Sequence, residues 1–161
     1  MEDIVSQTKA EYQRSRERLV KLLGVTPADK LNWSPSPQAR TPIQLAAHSA
    51  MAVDGILQML TGEGSGEGIV AEIDSYLRKE EQQYTTVEQV TAVLDKNSTA
   101  YLAFLDTLTP AQLSSTVSGF FGSTFPMSEA ITFPAHHMRG HIAQLEYVQT
   151  IYGDHDWYYG L

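Results

Sequence analysis

What most limits the folds open to this chain is a spacing of three and four between its apolar residues, repeated in long blocks. Ile4, Thr8, Tyr12, Ser15, Leu19 and Leu22 follow each other at such steps, the signature of an amphipathic helix over roughly residues 3 to 23. Gly24 is expected to end it. Thr26-Pro27-Ala28-Asp29 then reads as a single capped turn, with proline at the first helical position. Leu31 to Pro37 is too rich in proline for a helix or a central strand, so it should run extended with Trp33 as its anchor.

Thr41-Pro42-Ile43-Gln44 combines a cap, an N-terminal proline and a capping-box glutamine, and predicts a second long helix to about Leu60, stopped by Gly62. Its inward stripe is Leu45, His48, Ala52, Gly55 or Ile56, and Met59. Gly62 to Gly68 is a glycine-rich connector that could also border a pocket. Ile69, Ile73 and Leu77 suggest a short helix fading into the charged run Arg78 to Glu81. From Thr86, with Gln89 three residues on, Val87, Val90, Leu94, Tyr101, Leu105 and Leu108 mark a third long helix.

Thr109-Pro110-Ala111 echoes Thr26-Pro27-Ala28 and hints at two similar halves. Ser114 to Pro126 reads as a loop or small hairpin, whose Phe120, Phe121 and Phe125 are available to line a pocket. Ser128 should cap the last helix, with Pro134 bending it one turn before the histidines. The tail from Tyr152 to Tyr159 is aromatic and acidic. It should pack against the bundle or a second subunit, with His155 on the surface.

Four long helices and no convincing sheet describe an all-α protein, an antiparallel four-helix bundle in one domain over residues 1–161. No apolar run approaches the roughly 20 residues of a membrane span. The acidic start Met1-Glu2-Asp3 lacks the character of a signal peptide, so a cytoplasmic location is expected. A net charge of −8 argues against nucleic acid as a partner. The chain has no cysteine, so a metal would be held by His, Asp or Glu, and thiol chemistry would need a thiol from outside.

Chemistry concentrates in Pro134-Ala135-His136-His137-Met138-Arg139-Gly140-His141. Residues four apart on a helix are offset by only about 40°, so His137 and His141 share a face, and His136 looks outward. Leu145 and Val148 continue that stripe, which gives it the apolar character of a core-facing surface, where neutral imidazoles need partners. A lone His48 would be a core histidine bonded to a carbonyl or a tyrosine. Beside that pair it reads as the third ligand of a metal site.

His48 on the second helix, His137-x-x-x-His141 followed by Gln144 on the last, and the upstream Trp33-Ser34-Pro35 segment resemble the DinB/YfiT superfamily of four-helix metal-binding proteins. The resemblance covers nearly the whole chain. It implies a three-histidine site at one end of the bundle, usually for zinc or nickel, and often a homodimer. Members with known activities use low-molecular-weight thiols, as bacillithiol transferases and mycothiol-dependent isomerases or transferases, while many others carry only the label of metal-dependent hydrolase.

Three neutral imidazoles leave an ion its full charge and an open position, which favours the anion of a bound thiol or water. The expected function is therefore S-transferase-like or hydrolase-like chemistry on a small-molecule substrate, with a non-catalytic metal-binding or scaffold stress protein as the alternative. A zinc hydrolase usually adds a carboxylate base. Asp54 and Glu146 point away from the histidine faces and Glu11 only borders the first helix's stripe, which tilts the reading toward a thiol unless a loop residue such as Glu67 swings in. Gln144 either orients a ligand or bound water, or serves as an interhelical hydrogen bond.

Overall fold

A computed structural model describes residues 3–64 and 70–159. The four long helices are α1 (Ile4–Val25), α3 (Pro42–Thr61), α5 (Val87–Thr107) and α8 (Phe133–Ile151). Between them lie α2 (Ala28–Leu31), α4 (Val70–Glu81), α6 (Pro110–Leu113), a two-stranded antiparallel hairpin of β1 (Thr116–Ser118) and β2 (Thr124–Pro126), and α7 (Met127–Ala130). The all-α bundle expected from the sequence is what the chain forms.

Side-chain pairs set the helix directions. Lys9 meets Asp106 and Tyr12 meets Ser98, so α1 and α5 are antiparallel. Glu11 meets Arg139 and Arg18 meets Glu146, so α1 and α8 run the same way. On the other flank of α8, Leu45 shares a groove with Val148 and Ile56 shares a cleft with Phe133, so α3 opposes α8. The long helices therefore run up, down, down, up. The antiparallel arrangement expected from the sequence holds for two of the four neighbouring pairs, α1 with α5 and α3 with α8; the other two are parallel, because α4 carries the chain back so that α3 and α5 can lie side by side in the same sense.

The core draws on the predicted stripes and on residues outside them, Ile43 and Met138 among these, while Ala52 and Gly55 of the predicted α3 stripe are only partly buried. Leu19, Leu22, Ile43, Leu94, Leu105, Met138 and Leu145 are almost wholly buried, each contributing about 1.5–3 kcal/mol of transfer free energy. Tyr12 and Tyr101 meet edge to face at 4.8 Å in the centre. Their hydroxyls are satisfied, Tyr12 with Ser98 Oγ at 2.6 Å and Tyr101 by donating to the Ile131 carbonyl. Trp33 is half-buried, with its ring edge-on to Tyr152.

Several local expectations need correction. Gly24 does not end α1, which runs to Val25. Thr26 does not cap α2; its hydroxyl donates back to the Leu22 carbonyl and Pro27 takes the cap position. The echo with Thr109 is thus chemical only in part, since Thr109 does form a full capping box with Gln112. Ser128 lies inside the short turn α7 and caps nothing, and α8 starts afresh at Phe133 with Pro134 in its first turn. Pro134 lacks the N–H that a continuous helix would offer to the Ala130 carbonyl, so the proline opens a helix and bends none.

The tail is tied to α1 through Arg18, which donates to the carbonyls of Trp157 and Tyr158. The rings of Trp157 and Tyr159 remain exposed, as does His155.

Candidate metal centre

His48 arrives on α3 and His137 and His141 on α8. Because α3 and α8 are antiparallel neighbours, the one-turn spacing of the α8 pair straddles the single histidine of α3. Ring centroids are 5.1 Å apart for His48 and His137, 4.7 Å for His48 and His141, and 4.6 Å for His137 and His141. One nitrogen from each ring lies within 4.8 Å of the others, and the Nε2 atoms of His137 and His141 are 3.0 Å apart. An ion bound at about 2.0–2.1 Å by each nitrogen needs donors roughly 3–3.5 Å apart. The α8 pair already has that separation, and small side-chain rotations close the third side. The donor set of three imidazoles suits zinc, nickel, copper or iron alike.

Two polar neighbours orient the rings. Gln144 Oε1 accepts from His141 Nδ1 at 2.7 Å, which leaves the Nε2 lone pair facing its partners. On the other helix, Glu81 Oε1 accepts from His48 Nδ1 at 2.7 Å and again leaves Nε2 for a ligand. Carboxylate or carbonyl acceptors behind metal-binding histidines commonly fix the ring's orientation and raise its basicity.

Glu81 is 1% exposed, and Arg40 clamps it through Nε to Oε2 at 2.7 Å and Nη2 to Oε1 at 3.0 Å. Burial pushes its carboxyl up, but the hydrogen bonds from His48 and Arg40 outweigh this and hold it below the usual range. Arg40 also reaches Asp74, itself bonded to Arg78. The run Arg78 to Glu81, expected as the charged stretch into which a short helix fades, thus delivers a buried anion to the back of the site.

Burial first, and then the nearby His141, His48 and Arg40, depress His137 to about 4. Burial also lowers His141, against the pull of Gln144. Both imidazoles are therefore neutral near pH 7, the form that can ligate a metal.

The other residues singled out by sequence stand elsewhere. Asp54 is exposed and bonded to Gln58, Glu146 pairs with Arg18, and Glu11 faces Arg139. Glu67 lies outside the described residues. His136 is exposed, yet it stands on the wall of a cleft of about 520 Å³ that His48 and His137 also line. Ala52 and Gly55 leave the open space beside His48 that their size suggests.

Sequence reasoning missed Glu81 and Arg40. Ile73 and Leu77 are four apart, and the next step of four lands on Glu81, so the stripe of α4 did carry the signal. Arg40 had none, because it ends an irregular segment without periodicity.

The fold is shared with several solved structures. An uncharacterised protein of Clostridium difficile 630 superposes with a TM-score of 0.75 at 12% identity, over 94% of this chain and 98% of its own. A DinB-like protein of Bacillus cereus ATCC 10987 gives 0.68 at 20% identity, over 91% of each chain. A protein of Streptococcus pneumoniae gives 0.65 at 15% identity, over 92% of each. No curated protein sequence matches. The family profile of the DinB superfamily matches residues 11–145, and with that match spanning the bundle and its three histidines, the chain belongs to the DinB superfamily.

Proposed function

We propose that the chain is a metal-dependent enzyme in which His48, His137 and His141 hold a divalent transition metal, zinc or nickel, and which activates a low-molecular-weight thiol for transfer to a small molecule. The observation that carries this reading is the convergence of three imidazoles, two of which, His48 and His137, line a cleft. When bound, such an ion supplies positive charge that favours the anion of a thiol or water at its open position.

The chain's own residues supply the rest. Glu81 and Gln144 hold the imidazole orientations, and the apolar cleft offers a small molecule a place beside them. Among the described residues no fourth histidine or carboxylate joins the three, which fits an open position better than a closed structural site. Thiol is preferred over water because Glu81, the carboxylate nearest to the histidines in function, has both oxygens committed to His48 and Arg40 and is not free to act as a hydrolytic base. The exposed rings of Trp157 and Tyr159 are compatible with a homodimer.

Elemental analysis of untagged, chelator-free protein tests the centre. We expect near one transition metal per chain, lost in both His48→Ala and His137→Ala. Metal-loaded protein should then consume thiol in the presence of an electrophile. A wild type that takes up neither zinc nor nickel would overturn the enzyme reading and leave a helical scaffold.

A further inference from the structure

The cleft beside the histidines is about 520 Å³, within the range of sites that take drug-sized molecules. Met51 and Ile56 of α3, Leu77 of α4, Phe121 of the hairpin and Phe133 of α8 form its apolar walls, and its polar groups are the imidazoles of His48, His136 and His137. Among the described residues no lysine, arginine or carboxylate lines it, so in the metal-free chain a charged guest would lose its hydration without gaining a counter-ion from these walls.

Two further observations bear on the occupant. At Gly55 an added Cβ would meet nothing within 4 Å, so helix α3 leaves room in its wall where a larger side chain would fit. At the hairpin tip Phe121 adopts φ 58° and ψ 35° while the residue is 56% exposed. A bulky residue pays about 1–2 kcal/mol for the left-handed region, and such strain gathers at ligand clamps. Phe121 thus stands largely open on the rim of the cleft.

We propose that the cleft seats the second substrate, an uncharged small molecule with an apolar, preferably aromatic body, whose polar end lies toward His48 and His137 and whose body is covered by Phe121. This names the substrate class of the site proposed above and rests on that reading only for what happens at the histidines. The binding itself needs no metal.

Fluorescence titration with the neutral probe N-phenyl-1-naphthylamine, on the full chain both metal-free and zinc-loaded, tests it. Saturable binding at one site per chain is expected in both forms. Gly55→Leu, and Ala52→Leu one turn away, should each weaken it at least about tenfold without changing zinc stoichiometry, and Phe121→Ala should weaken it a few-fold. In the metal-free wild type, 1-naphthamide should displace the probe at about one-tenth the concentration that the isosteric anion 1-naphthoate needs. Absence of saturable binding, binding unaffected by both filling variants, or equal displacement by naphthoate would overturn the proposal. Probe binding without any metal uptake would instead sink the enzyme reading and leave the cleft as a binding site.

Discussion

Glu81 holds a position out of proportion to its appearance in the sequence. Ion-paired and almost fully buried, it links the guanidinium of Arg40 to the imidazole of His48. Glu81→Gln keeps the shape but removes the charge, and should weaken zinc binding about 10–100-fold, read by competition with a chromophoric chelator. Glu81→Leu leaves Arg40 with only the half-exposed Asp74 and should cost about 3–5 kcal/mol of stability, measured by urea denaturation. His137 makes the stability of the metal-free protein depend on pH. Its folded pKa, about 4, lies below the unfolded value of 6.5, so the unfolded chain binds the proton more readily. Stability should therefore be full above about pH 6.5 and fall progressively as the pH drops toward 4, in thermal melts of apoprotein. His137→Phe should flatten that stretch of the profile. The three histidines were readable from sequence because helical spacing alone assigns them to inward faces. Glu81 was not, because a run of four charged residues ordinarily means a solvated surface, and only the buried Arg40 reverses that.

At the scale of single elements, the starts of α3 and α5 were legible because a capping box is a contact between residues three apart, and needs nothing from the rest of the fold. Thr86 and Gln89 satisfy each other's backbone donors at the start of α5. Thr86→Ala should cost about 1 kcal/mol, seen as a lower Tm with zinc content unchanged. Thr26 and Ser128 carried the same type of signal and did not cap, since a hydroxyl can equally well return to a carbonyl one turn back, as Thr26 does. Which bond forms depends on packing that local pattern does not record. A loop or small hairpin was expected there, but the close approach inside it was not. A Cβ at Gly119 would collide with the ring of Phe125, which is itself held edge-on to Phe133 at 4.9 Å. Gly119→Ala should destabilise the protein by about 1–3 kcal/mol and, through Phe133, disturb the cleft, so that binding of the naphthylamine probe drops together with the denaturation midpoint.

For the whole molecule, the number of long helices could be read from periodicity but their directions could not, because an amphipathic stripe looks the same from either end. Long irregular connections permit either sense, and the up, down, down, up order emerges only from pairs such as Lys9 with Asp106 and Glu11 with Arg139. Among the described residues no helix is long and apolar enough to cross a membrane. A metal bound by the folded state alone stabilises it by mass action, about 2.7 kcal/mol at a hundredfold excess over Kd. Zinc should thus raise the Tm of the wild type and leave that of His137→Ala unmoved. The ligands come from the second and the last of the long helices, and this fixes when the centre can exist. A chain emerging from a ribosome presents His48 long before His137 and His141 are made, so the ion cannot template the early bundle. It can act only as a latch on the finished one, closing the seam that α8 fills and making metal affinity a reporter of completed folding.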